Sequence, residues 1–359
     1  MTLKTKITEM FGIKHPIVNA PMGPFRTTEL ATAVAEAGGL GVISHTTVSM
    51  DGYEKSIPAA ITKNLDYVVE HTDGIFGFNV ITSRNVLDAE AIISTASKHI
   101  MANPKLREQC LYALSSAGSS RRMPQNKDFQ KLRETTEIKH FHVSPALWLA
   151  EKSVASGVDG LVITGFEGGG HQSYEKVGGI VLQQQLQQKY PDIPRIACGG
   201  YATGAGLAAA LSLGADAIAM GSRFIASIDS EFHENYKAVI PPAKAQDTLI
   251  RTGALSIIRY WRNKFALSKG TVKSKEEKIA EEKALAEHRS AISQEELAEE
   301  LRKDAKAAFA AYQGDMENGG VLIGQSIGAI NKIEKVSDII ERIVKEAEEL
   351  LRTASSYIQ

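Results

Sequence analysis

The strongest constraint on this chain is a rhythm. Short apolar runs closed by Gly or Pro alternate with longer stretches of helical periodicity. The runs are Pro16–Ala20, Leu40–Ile43, Ile75–Val80, Gln109–Ser115, Ile138–Val143, Gly160–Thr164, Pro194–Cys198 and Ala217–Met220. Most are apolar on both sides, as strands covered on both faces of a parallel sheet must be. Between them, Thr28–Ala37 opens on a threonine cap candidate and stops at Gly38-Gly39. Ala146–Ala155 and Gly204–Leu213 run into Gly157 and Gly214 in the same way. Eight strand-then-helix units predict an α/β fold, a (β/α)8 TIM barrel rather than an open sheet.

The length of 359 residues exceeds one such barrel, and the composition changes after residue 230. From Lys269 to Lys306 half the positions are charged. Ser274-Lys-Glu-Glu277 and Ser293-Gln-Glu-Glu296 there read as capping boxes of two solvated amphipathic helices. A Gly-rich stretch, Gly314–Gly328, follows, and then a helix over about Ser337 to Arg352. The expected organisation is a barrel over 1–235, a smaller helical region over the substrate at 236–325, and 326–359 returning to the barrel.

Charge excludes one class of function. The 41 Lys+Arg against 42 Asp+Glu leave a net charge of −1, without the basic excess of a phosphate-backbone binder, so no nucleic-acid partner is expected. Cys110 and Cys198 are too few for a disulfide framework and fit a reducing compartment. No apolar run reaches the ~18 residues of a membrane span, and Met1–Met10 lacks the apolar core of a signal peptide. A cytoplasmic chain acting on a small molecule, with no membrane partner, is expected; a homo-oligomer is compatible with this. No metal site is expected, because the nine histidines lack ligand spacing.

In a barrel the loops after the strand C-termini form the working face. Those loops hold Pro21-Met22-Gly23, Ser44-His45, Asn79, His142, the run Gly165–His171, Cys198–Tyr201 and Met220–Arg223. Gly199-Gly200 and Gly221-Ser222, at two consecutive strand ends, offer bare amides and a hydroxyl to one phosphate group. His171 follows three glycines, which predicts a mobile or sharply bent backbone and an imidazole that reaches the mouth to exchange a proton. His45 and His142 either orient a ligand or satisfy a backbone group. Glu167 either caps a helix, braces its loop or contacts substrate. Cys198, inside an apolar strand end, reads as an inert thiol.

These residues resemble a known family. Asn19-Ala-Pro-Met22, Ala37-Gly-Gly-Leu-Gly41, Gly165-Phe-Glu-Gly-Gly-Gly-His171, Ile193–Gly200 and Leu211–Phe224 are similar to segments of the nitronate monooxygenase (2-nitropropane dioxygenase-like) family. Arg259-Tyr-Trp-Arg-Asn263 and Gly324-Gln325 extend the similarity past the barrel. The resemblance implies an FMN-dependent TIM-barrel oxidoreductase with a smaller helical domain beside the flavin. By position, Pro21, Met22 and Asn79 would contact the isoalloxazine. Gly165 and Gly169 would line its edge, with Gly178 and Gly179 close by. Gly199, Gly200, Gly221 and Ser222 would hold the phosphate, and His171 would be the catalytic histidine. His45, His142, Ser173 and Tyr201 are then candidates to line the substrate pocket. Gly168, Ser173 and Tyr201 depart from the family pattern around that pocket.

The implied activity is oxidation of an alkyl nitronate or related small substrate with O2. An NAD(P)H-dependent FMN reductase of an enoyl-thioester or quinone is the alternative. A non-flavin barrel enzyme binding a phosphorylated metabolite, or a non-catalytic scaffold using the 269–306 helices, stands outside the family.

Overall fold

The computed structural model describes residues 3–44, 57–83, 88–252, 256–268, 280, 287 and 294–358. Eleven strands are described: β1 (Ile17–Asn19), β2 (Gly41–Ile43), β3 (Phe76–Ile81), β4 (Cys110–Ser116), β5 (Lys139–Ser144), β6 (Gly160–Thr164), β7 (Gly170–Gln172), β8 (Arg195–Cys198), β9 (Ala217–Met220), β10 (Thr248–Thr252) and β11 (Ile257–Trp261). All except β7, β10 and β11 join one parallel sheet in the order β1-β9-β8-β6-β5-β4-β3-β2. These are the eight runs expected from the sequence. The sheet closes on itself through a parallel bridge between Val18 and Leu40, so the architecture is a TIM barrel.

The two-sided apolar character follows from that closure. Val18, Val42, Tyr112, Leu114, Phe141, Val162 and Ile196 meet inside the barrel. Their neighbours Ile43, Phe78 and Ala113 face the helical layer around it, as do Leu161 and Ile163. The seam between β1 and β2 carries little backbone pairing, and a side chain makes up the deficit. The Asn19 carboxamide donates to the Val42 carbonyl at 2.8 Å and accepts from the Val42 amide at 2.7 Å, standing in for a peptide of the missing ladder.

The helix Thr28–Glu36 forms where expected, but no threonine side chain caps it. Instead the Glu231 carboxylate accepts from the Glu29 amide at 2.6 Å and the Leu30 amide at 3.3 Å. A distant carboxylate thus satisfies the orphan donors of the first turn. Phe232, next in the chain, packs edge-on against Phe25 at 5.0 Å, and Phe25 stacks on Tyr312 at 5.3 Å. This aromatic group ties the loop after β1 to the helix Gln294–Tyr312. That helix is described from Gln294 on, and the Ser293 of its expected capping box lies outside the described residues. The Ser274–Glu277 box lies outside the described residues.

The C-terminal helix spans Val336–Ser355 and buries Ile339, Ile340, Ile343, Val344 and Ala347. It lies against the helix Gly204–Ser212, where the Glu346 carboxylate accepts from the Gly204 amide at 3.0 Å. The second sheet is antiparallel, in the order β10-β11-β7. Its third strand is the stretch expected to be mobile or bent: Gly170–Gln172 pairs with Ile257–Arg259 and is fixed by that pairing. Among the described residues no helix is long and apolar enough to cross a membrane.

Two outcomes follow. Asn19→Leu leaves the Val42 amide buried without its partner and the Val42 carbonyl with only the Thr27 hydroxyl at 3.4 Å, a cost of about 1–3 kcal/mol for the amide; urea unfolding should show it as a lower midpoint. Burial pushes the Glu231 carboxyl up to about 7, with Glu29 adding to the rise and the capping amides opposing it. The fold therefore favours its protonated form, and that contribution is lost as pH rises through about 7. The Tm of the native chain relative to Glu231→Gln should fall from pH 5 to pH 8; an offset independent of pH would contradict this.

Candidate active site

The barrel mouth has a polar floor. On β3, Phe76, Phe78 and Val80 face the helical layer, which turns Asn79 inward. Asn79 is 2% exposed, and its Oδ1 has no hydrogen-bond partner. Beside it the loop after β1 is held in place by Ser44, whose Oγ accepts from the Met22 amide at 2.6 Å. Pro21 is half-buried in the same loop. A Cβ placed on Gly221 would meet only Ala20 and the Met22 sulfur, both at 3.8 Å, so Gly221 borders open space next to Met22.

The run from Gly165 to Gly170 is locked on three sides. The Gly165 amide donates to the Cys198 carbonyl at 2.9 Å. The Glu167 carboxylate accepts from the Gly179 amide at 3.1 and 3.0 Å, capping the helix Gly179–Lys189 at its Gly178 N-cap. Of the three readings of Glu167, the cap is the one the geometry realises. A C-terminal strap completes the enclosure: the Gln325 amide donates to the Glu167 carbonyl at 2.8 Å. Gly169 faces this strap so closely that a Cβ would lie 2.5 Å from the Ile323 carbonyl carbon.

Gly199 and Gly200 sit against this loop with φ of +83° and +89°, a left-handed pair that residues with a Cβ rarely adopt. Ser222 Oγ accepts from the Gly324 amide at 2.9 Å, which leaves its own proton to donate. The geometry thus brings Gly165, Gly169, Gly178, Gly179, Gly199 and Gly200 together, with Ser222 joined to them through the strap. The helix that follows Gly200 is closed to an anion at its start: Thr203 takes the Gly206 amide and Glu346 the Gly204 amide.

His171 lies on β7, paired across to Ile258, which is in turn paired to Arg251. Directly paired residues share a face, so His171, Ile258, Arg251 and Tyr260 point to one side of the small sheet and Arg259 and Gln172 to the other. The imidazole is accessible to solvent, yet the protein mass around it holds its pKa below the ordinary histidine value, with Asp304 on the facing helix opposing the drop. It is the neutral, proton-accepting form that persists near pH 7.

One residue of this region escaped the sequence reading of individual roles. Arg259 is 4% exposed and donates from Nε to the Gly168 carbonyl at 3.1 Å, and from Nη2 to the Phe166 carbonyl at 2.8 Å. Its Nη1 donates to Thr248 Oγ1 at 3.0 Å, and its guanidinium lies 4.9 Å from the Phe166 ring centre. An arginine in the middle of the apolar run Ile257–Trp261 was the available signal. Burial lowers its pKa to about 10, with Glu167 working against that shift.

The remaining candidates divide. Phe141 points into the barrel, so His140 and His142 point out of it; His140 meets the Phe129 ring at 5.9 Å in the helical layer. Ser115 Oγ lies 2.7 Å from His142 Nδ1 and 2.8 Å from His140 Nε2. Burial drives His142 down to about 4, against a bond to the Gly118 backbone. The structure therefore places His142 in the barrel wall as a neutral brace, away from the mouth, because strand alternation assigns the inward positions to Phe141 and Val143. Ser173 accepts from the Glu175 amide at 3.2 Å and shapes its own turn. Tyr201 packs beside Gly206 and near Gly179, its phenol pushed up to about 12 by burial, then by Glu167 and Cys198. Burial likewise pushes the Cys198 thiol up to about 11, consistent with an inert group. His45 lies outside the described residues.

The sequence and the fold are both similar to those of known proteins. A nitronate monooxygenase family model matches residues 4–346. A hydroxy-methyl-oxo-octahydroindene-carboxyl-CoA dehydrogenase of Mycobacterium tuberculosis is 32% identical over 257 residues, covering 70% of this chain and 64% of that protein. A nitronate monooxygenase of Paraburkholderia phytofirmans is 29% identical over 285 residues, covering 71% of this chain and 75% of that one. The chain thus matches just under two thirds of the length of the mycobacterial relative. FabK from Thermotoga maritima superposes with a TM-score of 0.78 at 31% identity, over 99% of this chain and 100% of that one. A nitroalkane oxidase of Streptomyces ansochromogenes, with a TM-score of 0.70 at 21% identity over 97% of this chain and 99% of that one, shares the fold. With a barrel closed at Val18–Leu40 and a family match along nearly its whole length, this chain belongs to the nitronate monooxygenase family, a family of oxidoreductases.

Proposed function

We propose that the chain is an FMN-dependent oxidoreductase whose mouth oxidises an alkyl nitronate or a related small substrate with O2, His171 managing the proton. The observation that carries the reading is the pairing of a solvent-accessible neutral histidine with a barrel mouth built for a bound group. The residues present fit FMN. The buried, unpartnered Asn79 Oδ1 offers an acceptor to a ring N–H. Gly221 is an open cradle that a Cβ would fill, and the Ser222 hydroxyl retains a proton for a phosphate oxygen. Gly199 and Gly200 add bare backbone beside it, and Pro21 and Met22 would lie along the ring. Gly165, Gly169, Gly178 and Gly179 would border it.

Bound FMN supplies the electron acceptor that this chain's side chains lack. The protein's own part is positioning and proton transfer. The neutral imidazole of His171 accepts a proton or a hydrogen bond at the substrate's reacting group. Tyr201 and Ser173 stand near enough to the same loops to shape the pocket wall. The helix Gln294–Tyr312 brings Asp304 towards His171 and steadies the imidazolium that forms. A second reading has specific support: the mycobacterial relative's name carries a carboxyl-CoA substrate, which favours oxidoreduction of a CoA thioester, with NAD(P)H as electron donor in the reductive direction.

Anaerobic mixing of the purified protein with ethylnitronate, NADH and NADPH separates these readings. Bleaching of the flavin by the nitronate is expected; bleaching by a nicotinamide alone would overturn the nitronate reading in favour of the second. A colourless protein refractory to reconstitution with FMN would remove both and leave a barrel for a phosphorylated metabolite. His171→Ala should retain the flavin and lose about 10²–10⁴ in kcat/KM. The acidic limb of the kcat/KM profile in the native enzyme should lie below about 6.5, the ordinary histidine value, and vanish in the variant.

A further inference from the structure

We propose that Arg259 is a positioning residue that pins the register of β7 and so decides which way His171 faces. The proposal rests on the reading of His171 as the proton-handling group. β7 is three residues long and, among the described residues, lies at the edge of its sheet with β11 as its one partner strand. Glycines occupy the three positions before His171, so no side chain there packs against anything to hold the strand in place. A glycine-led edge strand is the kind most prone to slip, and a slip of one residue turns every side chain to the opposite face. For His171 that means exchange of its present place, where the imidazole reaches solvent, for the buried position that now holds Gln172.

Arg259 opposes the slip from both ends of its own structure. Its backbone pairs with Gly170, the residue before His171. Its side chain reaches back along the same loop to the carbonyls of Gly168 and Phe166, two and four positions before Gly170. Shifting β7 by one residue would move both carbonyls off the fork while the guanidinium stays anchored to Thr248 on β10. The Gly168 carbonyl is buried and accepts from Arg259, so the shifted register would strip it of that donor, and the half-buried Phe166 carbonyl would lose its own. Arg259 sits on the face opposite His171 and so acts on it only through the strand. Lysine cannot replace it, because one ammonium cannot hold two carbonyls and a hydroxyl in a fixed plane.

The test compares Arg259→Lys with the milder Thr248→Val, which removes the Nη1 anchor and the Thr248 hydrogen bond to the Ala245 carbonyl but leaves the guanidinium in place. The primary readout is modification of His171 by diethyl pyrocarbonate, mapped by mass spectrometry on the flavin-loaded protein. This reports how the imidazole faces, whether or not it is catalytic. The native protein should be modified at His171; Arg259→Lys should be protected several-fold with its flavin absorbance unchanged, and Thr248→Val should fall between. Kinetics with ethylnitronate or NADH, whichever bleaches the flavin, give the second readout. Arg259→Lys should lower kcat by about tenfold to a hundredfold with little change in KM, and the same change in a His171→Ala background should have no further effect. Losses that multiply in that background, or unchanged labelling in both variants, would overturn the proposal. If Arg259→Lys fails to fold, Thr248→Val alone decides by the same labelling. A His171→Ala enzyme of full activity with the labelling shift intact would instead sink the reading of His171 and leave the register pin standing.

Discussion

An eight-stranded parallel sheet becomes a barrel only when its first and last strands meet, and in this chain that junction is the thinnest part of the wall. β1 has three residues and β2 has three, with one bridge between Val18 and Leu40. The Asn19 carboxamide adds the two hydrogen bonds that the backbone does not make. The mouth depends on this seam directly. Ala20, Pro21 and Met22 leave β1 one residue beyond Asn19, and Ser44, which accepts from the Met22 amide, leaves β2 one residue beyond Ile43. The loop against which a flavin ring would lie is therefore set by the same few bonds that close the barrel.

A second economy runs through the molecule. Arg195, Arg223, Arg251 and Arg259 are all buried, and each directs its guanidinium at backbone carbonyls. Arg195 reaches Gly214, Arg223 reaches Ala226 and Lys332, Arg251 reaches Phe265, and Arg259 reaches Phe166 and Gly168. Each meets an irregular segment whose carbonyls need donors, although the Phe265 carbonyl also accepts from Ser268. These cations serve the backbone, and they form part of a near-neutral total of −1. Composition alone could register the balance but not where the charges were used.

The eight barrel strands were legible because burial on both faces writes itself into sequence as continuous apolar runs. The helix starts were less so. Nothing near Thr28 announces that its helix is capped by Glu231, because the partner is 202 positions away from Glu29. β7 was hidden for a related reason: three residues led by glycine carry no periodicity, and the strand that orders them lies far downstream. His142 is different. The alternation Phe141, His142, Val143 already implied that the histidine and the two apolar residues face opposite sides, so its outward position could have been read. The glycines and Ser222 stand out in the sequence because bare backbone at strand ends has few structural substitutes. Arg259 was quoted only as part of a similar segment, since its role depends on which carbonyls fold back to meet it.

The strap around Gly324 has a consequence for the order in which the molecule can be made. All eight barrel strands have been synthesised once residue 220 is added, yet the loop after β6 then lacks the Gln325 amide that braces Glu167, and Ser222 lacks the Gly324 amide. The first amide of the helix after Gly200 waits longer still, for Glu346. Until then the loops at the mouth wait for partners that only the C-terminal segment brings, although every strand of the wall is already present.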